Sequence, residues 1–192
     1  MKHSSKPTKA MTGLVVRLAL ACMAIAASAA RAETIFMSVT AQAQGVLRGD
    51  AGKAAPEGKM SALRFRYQVL TAVDTATGRA SGRRQHKPVV ITKLWSAASP
   101  QLFQALVNNE NLPEVVIDFV ATDANGMMVL THRVRLVNAK VVDIAHSTEV
   151  PSEMSNRTLA RQIEDVSFTF QRIELEDTAG KIAAVDDMRT AP

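Results

Sequence analysis

The sequence predicts a mainly β protein, with seven or eight strands closed into a barrel or stacked as a sandwich and one helix beside them. Three observations support this. Apolar and polar residues alternate through most of the chain after Ala32, the period of half-buried strands. Clusters of Gly, Pro, Asn and Asp divide these stretches at the intervals of short antiparallel strands. Only one segment, opening at Ser99-Pro100, combines a strong helix start with apolar residues at helical spacing.

The first strand is Thr34–Thr40, and Gly45, Gly49, Gly52, Pro56 and Gly58 make the next stretch a loop. Leu63, Phe65, Tyr67 and Val69 then alternate with Arg64, Arg66 and Gln68, which reads as a half-buried strand with a basic outer face. Asp74–Lys87 is a polar loop of small and basic residues. Pro88 opens the strand Val89–Trp95, where a missing N–H does least harm. Ser99 is expected to cap the helix and Pro100 to occupy its first position. Leu102, Phe103 and Leu106 are expected to form its buried stripe, and Asn108-Asn109 to end it. Val115, Ile117 and Phe119 begin another strand, which Asn125-Gly126 turns into a hairpin because both residues tolerate positive φ. Val129–Val137 returns, a turn is expected near Asn138, and Val141–His146 runs out again. Glu149–Gln162 reads as a polar loop. Val166, Phe168 and Phe170 alternate with Ser167, Thr169 and Gln171 in the clearest strand, and the tail after Asp177 is weakly patterned.

The charge of +5 at pH 7 is unevenly spread. Of the 23 Lys and Arg residues, Lys2, Lys6, Lys9, Arg17 and Arg31 precede Glu33, where no Asp or Glu occurs, so the remainder balances the 18 acidic residues. A neutral body offers no electrostatic footprint for nucleic acid, and low net charge favours association. Cys22 is the one cysteine, so the body has no disulfide or thiolate chemistry, as suits folding in an oxidising compartment.

Residues 1–32 have the order of a secretory signal: a basic region, the apolar run Leu18–Ala26, then a small-x-small end at Ala30-Arg31-Ala32. The run is about half of the ~20 residues that span a bilayer, and Arg17 and Arg31 bound it. Cleavage is expected after Ala32, giving a periplasmic or secreted domain over 33–192 with no membrane contact.

Several strands are apolar on both faces. Val90 and Leu94 lie opposite Val89 and Ile91, and Val116 and Val120 lie opposite Val115, Ile117 and Phe119. A small antiparallel barrel dries one face only, and one short helix cannot cover the rest. Val90, Leu94, Val116 and Val120 are therefore expected at an interface between copies of the chain.

Three stretches, ASGRRQHKPVVITK (Ala80–Lys93), SPQLFQALVNNE (Ser99–Glu110) and EDVSFTFQRIE (Glu164–Glu174), resemble the haemolysin-coregulated (Hcp) family, the tube proteins of type VI secretion systems. The resemblance spans roughly Thr34 to Asp187. It implies a compact β-barrel with one flanking helix. It also implies a homohexameric ring that stacks into a tube, carries effector proteins and meets tube-tip components. The long loop before the HKP stretch reaches the next ring in that family, a role that would fall on Arg79, Arg83 and Arg84. Two departures stand out. Leu175 and Met188 occupy places where many relatives carry tryptophan, and a tube assembled in the cytosol needs no signal peptide. A second reading is thus a periplasmic or secreted binding module that reuses the fold.

The residues give little support to catalysis. His86, His132 and His146 are the body's histidines. If the strands around Asn138 pair, His132 and His146 become neighbours, but two imidazoles do not make a metal site. His86 would need a nucleophile beside it, and none is marked. Asp186-Asp187 are adjacent carboxylates in a tail. No phosphate-binding or dinucleotide glycine motif occurs, so neither an enzyme nor a cofactor is expected. Export alone motivates a hydrolase, with His86 as its best candidate base.

Overall fold

The computed structural model describes residues 33–50, 56, 58–149 and 160–190. The predicted leader with its cleavage point at Ala32, and positions 150–159 of the expected polar loop, lie outside the described residues.

The strands are β1 (Glu33–Ala41), β2 (Gly45–Val46), β3 (Met60–Arg66), β4 (Val69–Leu70), β5 (Gln85–His86), β6 (Val89–Leu94), β7 (Leu112–Thr122), β8 (Met128–Glu149), β9 (Arg161–Thr169), β10 (Arg172–Asp177) and β11 (Ile182–Asp187). One α-helix, α1 (Ser99–Val107), follows β6. The main sheet runs β11-β10-β8-β7-β1-β3-β6-β9, and β9 pairs again with β8. That second pairing closes six strands into a barrel and leaves the β10–β11 hairpin as a flap on its side. The expected barrel is therefore present.

Closure depends on β8, which is 22 residues long. Its first half pairs with β7 and β10, and its second half with β9. The change of partner falls at Asn138, whose φ is 49°, and at a register shift between Val141 and Asp143. Asn tolerates the left-handed region, and an extra residue bends a strand sharply. The turn expected near Asn138 is thus a bend within one strand. His132 and His146 consequently lie on different halves of β8 and are not neighbours.

Inward residues of the barrel strands alternate as the period-2 pattern requires. Met37, Val39, Ile91, Val115, Ile117, Leu136, Val166 and Phe168 are all fully buried in one core. Burial of each such side chain stabilises the fold by about 1.5–3 kcal/mol. Leu102 and Ala105 of α1 join that core, whereas Phe103 is 53% exposed. The helical stripe is therefore Leu102, Ala105 and half-buried Leu106. Ser99 does not cap the helix. Ala98 holds the cap position, so Ser99 is the first helical residue and Pro100 the second, and the Ser99 hydroxyl is turned into the protein toward Glu164.

Other local differences have simple causes. Leu63 is exposed because the β3–β6 register shifts between Ala62 and Arg64. Asn125-Gly126 sits in a wider loop, where the Asp123 carboxylate accepts from Asn125 N and Met127 N and Gly126 takes φ 79°. The weakly patterned tail forms β11, paired along its whole length with β10. Gly49 lies so close to Lys59 that a Cβ would overlap the Lys59 carbonyl oxygen.

Candidate assembly surface

Arg79, Arg83 and Arg84 lie on an arm rather than an irregular loop. Val69 pairs with His86 and Leu70 with Gln85, forming a two-stranded ribbon separate from the main sheet. A further bridge joins Val73 to Ala80. The turn is built by Asp74, whose Oδ1 accepts from Ala76 N and Thr77 N, and by Gly78 at φ 67°. Those backbone bonds hold the Asp74 carboxyl below its ordinary range. Val69, expected at the end of one half-buried strand with Leu63, Phe65 and Tyr67, instead belongs to this ribbon, because β3 ends at Arg66, and the two-residue Gln85–His86 was too short to read as a strand. Val69, Leu70, Val73, Arg79 and Arg83 are exposed. Arg84 instead turns back to the body and makes a two-pronged ion pair with Asp186 of β11.

Val90 and Leu94 point outward from β6. Val90 is half-buried and lines a notch of about 300 Å³ with Arg66, Lys87 and Pro88, while Leu94 is 40% exposed. Val116 and Val120 point outward from β7 and are half-buried. Val116 lies opposite Arg135 in a groove crossed by ion pairs. Asp118 accepts from Lys59 Nζ at 2.5 Å and Arg133 Nε at 2.7 Å, and Arg135 Nε reaches Glu114 at 2.5 Å. Burial pushes the Asp118 carboxyl up, but hydrogen bonds from Arg133 and Lys59 outweigh it and hold the group below its ordinary value. None of the four apolar residues is covered completely by its own chain. The two pairs sit on strands separated by β1 and β3.

A larger apolar surface escaped the sequence reading. The β10–β11 flap and the barrel border an open cavity of about 520 Å³. Phe65, Phe119, Val134, Leu175, Ile182 and Ala184 supply its apolar lining. Phe65 and Phe119 pack edge to face at 5.3 Å. Ile182 and Leu175 remain exposed along it. The sequence pattern marked no strand between Gln171 and Asp177, and the pairing of β10 with β11 was not legible in it.

The histidines occupy three unrelated settings. His132 lies 3.5 Å from Glu33, while His146 lies 3.9 Å from Glu164 and packs on Trp95 at 4.8 Å. His86 has a side chain 7% exposed and is bonded to Tyr67 and Asp186. No group of three His, Cys, Asp or Glu side chains suited to hold a metal occurs among the described residues.

One buried pair was also missed. Lys93 and Glu164 are 0% exposed, joined at 2.9 Å. Lys93 Nζ also donates to Leu94 O at 2.7 Å and Ser96 Oγ at 2.9 Å, which satisfies its three protons. Ser99 donates to the same Glu164 oxygen at 2.7 Å. Position 93 follows Val89 and Ile91 on the inward face, and that parity was the available signal.

Comparison with known proteins gives consistent results. The family model described as "Type VI secretion system effector, Hcp" matches residues 36–176. A curated relative, the "Major exported protein" of Pseudomonas aeruginosa, is 31% identical over 164 residues, covering 81% of this chain and 95% of the relative. A crystal structure of an Hcp protein superposes with a TM-score of 0.74 at 26% identity, covering 81% of this chain and 98% of that one. The secreted protein Hcp3 of Pseudomonas aeruginosa gives 0.64 at 27% identity, with 83% and 100% covered. Hcp1 of E. coli EAEC 042 shares the fold, with a TM-score of 0.70 at 20% identity and coverage of 81% and 99%.

Proposed function

Because this chain belongs to the Hcp family, the self-assembling tube proteins of type VI secretion systems, we propose that it is a structural subunit that closes into six-membered rings, with the basic arm bridging stacked rings. The observation that carries this reading is apolar surface left uncovered by the chain itself: the cavity under the β10–β11 flap and the outward residues of β6 and β7. A ring needs a head-to-tail contact, in which two different patches of one copy meet the opposite patches of its neighbours. Val90 and Leu94 on one side, and Val116 and Val120 on another, supply two such patches. The arm is exposed, with Arg79 at its turn and Arg83 close to its base, and it is the element we assign to contact with a second ring.

The role is structural rather than catalytic. Export removes residues 1–32 after Ala32 and leaves the domain over 33–192 outside the cytoplasm, where effector proteins and tube-tip components are its partners. Electron micrographs of the purified protein should show closed rings. A strict monomer by light scattering at every concentration would overturn the proposal. Mass analysis of the exported protein should find Glu33 as its first residue, and an intact leader would refute the processing step.

A further inference from the structure

The arm raises a mechanical question. An isolated two-stranded ribbon is marginal in water, and residues 69–83 are all exposed, so burial of the arm's own side chains cannot set its direction. The ribbon is not hydrogen-bonded into the main sheet. Its orientation must be decided at its base.

The base carries an unbroken chain of polar contacts. Tyr67 OH lies 2.5 Å from His86 Nδ1, and His86 Nε2 lies 3.0 Å from Asp186 Oδ2. Arg84 grips both oxygens of the same carboxylate and also reaches Asp187 O at 3.5 Å. Asp186 accepts only, so Nε2–H donates to it, and the free Nδ1 lone pair receives the tyrosine proton. Both ring nitrogens of His86 are used in this tautomer. Phe170 packs edge-on against both rings, at 5.7 Å from His86 and 6.1 Å from Tyr67. Met188 lines the small cavity beside Arg83, Arg84 and His86.

We infer that Tyr67, His86, Arg84 and Asp186 are positioning residues that lock the arm to the C-terminal strand β11, so that the tail of the chain sets how the arm is presented. The turn at Asp74–Arg79 shapes the tip, but the aim of the arm comes from a carboxylate 100 positions from His86 in sequence. The paired prongs of arginine matter here, because a lysine would keep the charge and lose the fixed geometry. The consequence for tubes rests on the ring-and-arm reading above; the lock itself does not.

Amide hydrogen exchange on the full chain tests it. Asp186→Asn and Arg84→Lys should each speed exchange across residues 69–86 by about tenfold or more, with β1 and β7 unchanged. Arg79→Ala, at the tip, should leave arm exchange as it is. Unchanged arm exchange in both base variants, or a rise shared equally by the barrel, overturns the lock. Micrographs of the same samples separate the two readings. If the wild type forms rings, the base variants should still form them but in shorter stacks, and stacks of full length would overturn the lock's role in presentation. If the wild type forms no rings, the assembly proposal falls and exchange alone decides the lock.

Discussion

Replacing Lys93 by Met would leave the Glu164 carboxylate inside the barrel without its cation. Both side chains are 0% exposed, and one Glu164 oxygen, Oε2, already lacks a hydrogen-bond partner. Removing one member of a buried pair costs about 3–5 kcal/mol, because the charge left behind is uncompensated. Total stabilities are ~5–15 kcal/mol, so the loss is a large fraction of the whole. For a domain of this size it lowers the melting temperature by roughly 6–20 °C. The double variant Lys93→Met with Glu164→Leu removes both charges and should recover most of the loss, since apolar replacements of buried pairs are often neutral or stabilising. Ser99 would then lose its acceptor, which sets a residual cost of about 1 kcal/mol. Urea unfolding of the wild type, both single variants and the double variant gives the coupling directly. A Lys93→Met change within about 1 kcal/mol of wild type would refute the reasoning. So would a double variant no better than the single ones.

Three further outcomes follow from the same structure. Asp118 is held below its unfolded value of 3.8, so its contribution is complete above that pH and is lost as pH falls through the folded value. Acid unfolding followed by circular dichroism should therefore show a steeper loss below pH 4 in wild type than in Asp118→Asn, and parallel curves would contradict it. Gly49→Ala forces a Cβ into the Lys59 carbonyl and should cost about 1–3 kcal/mol in thermal unfolding; an unchanged midpoint would show that the backbone yields there. Ile182→Asp places a charge at the mouth of the flap cavity without disturbing a buried side chain, so light scattering should register weaker assembly while the melting temperature of the subunit holds; undiminished assembly would remove the cavity from the contact.

Much of this protein could be read from short-range pattern. Alternation after Ala32 determined which stretches are strands and which of their residues face inward, as Val115, Ile117, Val166 and Phe168 illustrate. Ser99-Pro100 marked where the helix begins, although Ser99 does not cap it, and Asn108-Asn109 where it ends, because backbone stereochemistry acts within a few residues. The outward position of Val90, Leu94, Val116 and Val120 followed from the same parity. Only the tertiary structure decided that β8 runs through Asn138 to close the barrel, since a left-handed residue looks the same in a turn and in a bend. It alone placed Lys93 against Glu164, 71 positions away, and His86 against Asp186. It likewise formed the flap cavity from strands distant in sequence. Period and turn chemistry report what one residue does to its neighbours, whereas a buried charge finds its partner through strand order and register, which exist only once the ring of strands has closed.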